Sequence, residues 1–222
     1  MDSAVIERVP TVNDDLTTIA AGVVVRFDAV NRVRDEALTE GRQLVRLAAN
    51  AIRALHRGER DDAASLLADG RRRMAELSHR LADHPSIYWA GYVQDSMKEI
   101  AEACVVEAIH SGRPLPTPEA LGIEDAAYLN GLAEAASELR RDVLDELRGD
   151  DLDRAVRYLE AMDGIYAALV SIDFPDAITG GLRRTTDQLR GVLERTRGDL
   201  TLTLNQRRLE EAIRSMEPLA PT

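Results

Sequence analysis

The stretch from Leu121 to Arg148, LGIEDAAYLNGLAEAASELRRDVLDELR, leaves this chain little freedom in what it can become. Leu129, Leu132, Ala136, Leu139, Val143 and Leu147 recur at steps of three and four residues, the period of one buried face of an α-helix. At about 100° per residue, Glu134 and Glu138 fall one turn apart and roughly opposite the leucines. That second face also carries the small residues Ala127 and Gly131, with Arg141 and Asp145 beside them, so another segment can approach it closely.

Helical spacing continues on both sides. From Leu16 the apolar positions Leu16, Ile19, Val23, Phe27 and Val30 keep it, and Leu44, Val45, Ala48, Ala51, Ile52 and Leu55 resume it up to Gly58, which predicts one long helix with a break near residue 40. A second helix is expected from Asp61 to Leu81, a third from Pro85 to His110, and others over Leu152–Ile172 and Leu182–Met216. Proline disfavours helix in the residue before it and suits a first turn, so Asp83-His84-Pro85 separates the second from the third. The clearest loop is Ser111 to Pro118, where Thr117 is placed to cap a short turn. Apolar residues make up 45% of the chain and aromatics only 4%, with Ala and Leu dominant, as in all-α proteins. The expectation is one all-α domain of about seven helices over 14–217, with an extension at 1–13 and a short tail at 218–222.

The formal charge is −11, and Lys98 is the only lysine among the 28 basic residues. That balance argues against a general basic coat for nucleic acid, so any such binding must come from a local arginine patch. One candidate lies on the first helix, where Arg42, Arg46, Asn50, Arg53 and Arg57 follow one another at steps of three and four. Such a stripe is either a solvated face or a phosphate track. Cys104 is the sole cysteine, so no intrachain disulfide is possible, and its apolar setting predicts a buried thiol. The first ten residues lack a basic n-region and the AAGVVV run is too short to span a bilayer, so a cytoplasmic protein without a membrane partner is expected.

Four acidic residues stand out. Glu99 and Glu102, three apart in the third helix, project from one face, and Glu134 and Glu138 do the same in the later helix. Taken alone, either pair reads as a solvated helix surface. The wording around them says more. Tyr128-Leu129-Asn130-Gly131-Leu132-Ala133-Glu134, then Glu138-Leu139 and Arg141, resembles the signature helix of the translin family, especially its translin-associated factor X branch. Lys98-Glu99-Ile100-Ala101-Glu102-Ala103 resembles the other acidic helix of that branch, and RLAANAIRALHRGE, from Arg46 to Glu59, resembles the family's first-helix motif.

The resemblance covers about Ala37 to Ile213 and implies a bundle of about seven helices that assembles with copies of itself into hollow octameric shells. It further implies a metal-dependent endoribonuclease for single-stranded RNA, with Glu99, Glu102, Glu134 and Glu138 as catalytic residues and ligands of Mg²⁺ or Mn²⁺. Arg46, Arg53 and Arg57 then become phosphate contacts. Glu134 stands where the branch has aspartate, Ser137 replaces a glycine, and Trp89-Ala90-Gly91-Tyr92-Val93-Gln94-Asp95 occupies the place of a basic, histidine-containing run in translin itself. Nucleic-acid binding without that run must use other arginines, with Trp89 or Tyr92 as stacking surfaces. The alternative within the family is a non-catalytic shell that binds single-stranded RNA or DNA. Outside it, Glu99-x-x-Glu102 also suits all-α nucleotide pyrophosphohydrolases, and Glu107-x-x-His110 is one half of a di-iron pattern that needs two.

Overall fold

The computed structural model describes residues 12–216. Among the described residues, nine helices follow one another: α1 (Val12–His56), α2 (Arg60–Arg80), α3 (Pro85–Tyr88), α4 (Gly91–His110), α5 (Pro118–Leu121), α6 (Asp125–Gly149), α7 (Leu152–Val170), α8 (Asp176–Thr179) and α9 (Leu182–Met216). The fold is all-α. Three of the nine are single turns of four residues, and the six long ones carry the architecture.

Helix α6 is the common axis. Its first half joins α1, α2 and α4 around Leu44, Met74, Met97, Ile100 and Leu132, and its second half joins α7 and α9 around Leu139, Val143, Met162 and Leu193. The stripe is therefore buried at Leu132, Ala136, Leu139 and Val143 and half-buried at Leu129 and Leu147, while α4 covers the opposite face around Gly131 and Glu134. Gly131 makes this possible. A β-carbon there would lie 2.5 Å from the Lys98 carbonyl oxygen and 2.9 Å from Ala101 Cβ, so only glycine admits α4 at this distance.

Several boundaries follow their local chemistry. The Thr117 side chain accepts a hydrogen bond from the Ala120 amide at 3.2 Å, the cap anticipated for α5. Asp151 caps α7 by accepting from the Arg154 amide. Gly180 and Gly181 take left-handed φ values of 61° and 85° and turn α8 into α9. Two expectations change. No break occurs near residue 40, because the apolar stripe simply moves onto the α2 and α4 contact there. The helix expected over 85–110 stops instead at Tyr88 and restarts at Gly91, with Ala90 extended (φ −68°, ψ 142°).

The N-terminal half of α1 differs more. Leu16, Ile19, Phe27 and Val30 keep helical spacing, yet all four are exposed, Phe27 by 69%. Burial begins only at Ala37. Of the extension read into 1–13, Val12 and Asn13 already belong to α1 and 1–11 lie outside the described residues, as does the 218–222 tail. Among the described residues, no helix is long and apolar enough to cross a membrane.

Candidate metal centre

Close packing of α4 on α6 brings Glu99 and Glu102 against Glu134. One carboxylate oxygen from each lies within 4.8 Å of the others, and all three side chains are partly buried. Glu99 and Glu102 are three apart on α4, which sets them on one face, and Gly131 lets that face reach Glu134 one turn further along α6. Burial, then the like charges of Glu99, Glu134 and Glu138, push Glu102 up to about 8. Burial likewise raises Glu99. Three oxygens this close, two of them reluctant to ionise, form a donor set that suits a hard divalent cation.

A cation of the chain's own already sits there. Lys98 Nζ donates to Glu134 Oε1 at 2.8 Å and lies 3.5 Å from Glu99 Oε1. Burial opposes its charge, but the Glu134 hydrogen bond and the charges of Glu134, Glu99 and Asp95 outweigh it and raise its pKa.

Glu138 stands one turn beyond this trio and is held differently. His56, from the end of α1, has Nε2 2.7 Å from Glu138 Oε1 and Nδ1 3.0 Å from Asp142 Oδ1. Asp142 Oδ2 in turn lies 2.9 Å from His110 Nε2. The His56 side chain is only 3% exposed. This His56–Asp142–His110 line was invisible in sequence, since partners 82 and 86 residues away leave no local signal. The Glu107-x-x-His110 pair does not form a ligand set: Glu107 accepts from Ser111 and pairs with Arg113, while His110 turns to Asp142.

Arg46 and Arg53 are exposed on α1, and Arg57 is exposed just past its end, next in sequence to His56. Arg57 is engaged with Glu59 through two bonds of 2.9 Å from Nε, and Arg53 donates to Asn50. Arg46 has no ion pair among the described residues.

Comparison with known proteins bears on the fold. An uncharacterized protein of Methanocaldococcus jannaschii is 30% identical over 187 residues, 83% of this chain and 82% of that protein. The solved structure of AfC3PO with duplex RNA is similar at 31% identity and a TM-score of 0.78, over 85% of this chain and 97% of that one. AfC3PO is a complex of the translin type. The chain belongs to the translin family. A second AfC3PO structure matches this translin-family chain at 30% identity and the same TM-score over 85% and 98%, and apo-NeC3PO shares the fold at 17% identity, TM-score 0.73, over 88% and 99%. No family model matches.

Proposed function

We propose that this chain is a divalent-metal-dependent endoribonuclease for single-stranded RNA, assembled from several copies, possessing its cation site in Glu99, Glu102 and Glu134. The observation that carries the reading is the convergence of those three oxygens within 4.8 Å, from two helices packed across a glycine. When bound, Mg²⁺ or Mn²⁺ supplies Lewis acidity and offsets charge on a phosphodiester. The chain's own groups do the rest. Glu138, oriented by His56, is the fourth carboxylate of the site and takes a proton from a water as its oxygen attacks phosphorus, while the ester P–O bond to the departing ribose breaks and that oxygen gains a proton from solvent. Arg46, Arg53 and Arg57 hold the phosphates of the strand on the way in.

RNA as the partner is supported by the likeness to AfC3PO, which was solved with duplex RNA. Self-assembly, in the octamers expected from the family, is supported by the bare apolar stripe of α1, which a second copy can cover. The lone buried thiol suits the reducing cytoplasm we assign to the protein. A second reading, a shell that binds single-stranded RNA or DNA without cutting, is favoured by one observation: Lys98 already neutralises Glu134.

The deciding assay incubates labelled single-stranded RNA, single-stranded DNA and duplex RNA with the protein in Mg²⁺, Mn²⁺ or EDTA, beside a Glu134→Ala, Glu138→Ala variant. Metal-dependent cleavage of single-stranded RNA, lost in the variant, is the expected result. Binding without cleavage by either protein overturns the nuclease and leaves the shell.

A further inference from the structure

We propose that the cavity next to the carboxylate trio is a subsite for one unpaired nucleobase, and that guanine is the base it fits. The inference rests on the nuclease reading for its place beside the scissile phosphodiester. The cavity, of about 400 Å³, is walled by Trp89, Gln94, Asp95 and Ile178, and it shares Lys98 and Glu134 with the metal centre. Anything seated there touches the residues that hold the cation.

Its walls offer the two things a base needs. Trp89 is 59% exposed, in the kink between α3 and α4. Tyr88, fixed through its hydroxyl to Glu124 at 2.6 Å, meets the indole at 89° rather than stacking on it. Ile178, from α8, adds an exposed apolar surface. An open indole beside an aliphatic surface is a stacking site for a planar ring.

One free group on the same wall offers a paired acceptor edge. Asn130, also lining the cavity, is spent: its Nδ2 donates to the Ala126 and Thr179 carbonyls and its Oδ1 accepts from Thr185. Gln94 donates one Nε2 hydrogen to the Tyr88 carbonyl at 2.9 Å, which leaves its Oε1 as an acceptor and its second N–H as a donor. Asp95 makes no hydrogen bond among the described residues, and a carboxylate accepts only. The Asp95 carboxylate is therefore the free group on this wall that sets two acceptors side by side, next to single donors on the Trp89 indole and Gln94 Nε2 and to Lys98, which is engaged with Glu134. Guanine presents two adjacent N–H groups, N1–H and the N2 amine, matched to the two oxygens of a carboxylate. Adenine and cytosine place an acceptor beside their amine, and uracil sets carbonyls on both sides of its one N–H. In a duplex that guanine edge is paired with cytosine, so the subsite takes only an unpaired base.

Trp89 is the only tryptophan, so its fluorescence reports on the cavity directly. The intact protein is titrated in EDTA with GMP, AMP, CMP and UMP, which share a phosphate and differ in the base. GMP should quench Trp89 with roughly tenfold tighter affinity than the other three, the scale of one bidentate base contact. Asp95→Asn should abolish that preference while stacking-dependent quenching survives. Equal quenching by all four nucleotides, quenching by none, or a GMP preference that persists in Asp95→Asn overturns the proposal. The separate cleavage assay keeps the two readings apart: metal-dependent cutting with no GMP preference refutes the subsite alone, whereas a GMP preference lost in Asp95→Asn, with no cutting, supports the subsite and refutes the nuclease.

Discussion

The two nitrogens of His56 lie between Glu138 and Asp142, so removing the ring releases Glu138 and leaves Asp142 to His110 alone. Groups that orient ligating or catalytic carboxylates usually matter by ten- to a hundredfold, roughly. His56→Ala should therefore lower RNA cleavage by about that factor. His56→Gln, whose amide can still donate to Glu138, should recover part of it, and the comparison is read in kcat at saturating RNA. Sequence gave no warning of this residue, because a lone histidine at a helix end is ordinary and its partners come from far along the chain. Glu99, Glu102 and Glu134 were legible because their helical steps set them on shared faces and the surrounding wording matched a family. What the steps could not reveal was Lys98 folding back between them.

At the scale of elements, the contact of α4 on α6 sets the site, and Gly131 sets the contact. Gly131→Ala places a methyl against the Lys98 carbonyl and the Glu102 amide, so α4 must move away. Such overpacking costs about 1–3 kcal/mol, against the roughly 1 kcal/mol that alanine returns through helix propensity. The expected outcome is a lower urea midpoint together with weaker Mn²⁺ binding by calorimetry. A variant that keeps both would show that the helices have room to spare. The small residues on the acidic face of α6 announced this close approach in sequence. The stop at Tyr88 was harder to see, since Trp89 and Ala90 interrupt the helix without a proline, and the cavity exists only because that kink meets α8.

For the molecule as a whole, the stripe of Leu16, Ile19 and Phe27 predicts assembly. Light scattering should give a mass above that of one 24.5 kDa chain, and Ile19→Glu with Phe27→Glu should reduce it. Periodicity alone cannot tell a face covered by its own chain from one covered by a neighbour, which is why the stripe reads like core until the fold is known. Packing also leaves a mark on Tyr88, Tyr128 and Tyr158. Burial raises the pKa of Tyr88, Tyr128 and Tyr158 above 10, so the folded state keeps protons that the unfolded state releases. Their contribution to stability is complete below pH 10 and is lost as pH rises through the folded values. An alkaline absorbance titration should show the Tyr88, Tyr128 and Tyr158 phenols ionising later in the native protein than in denaturant.

Lys98 carries the only side-chain amine in the sequence, and it lies at the mouth of the acidic site. An acylating reagent thus finds a single internal address there, apart from the chain terminus. If a divalent ion draws Glu134 away, the amine is released, and labelling of Lys98 should quicken when Mn²⁺ is added and slow again with chelator. Peptide mass spectrometry would then follow occupancy of the site without any RNA.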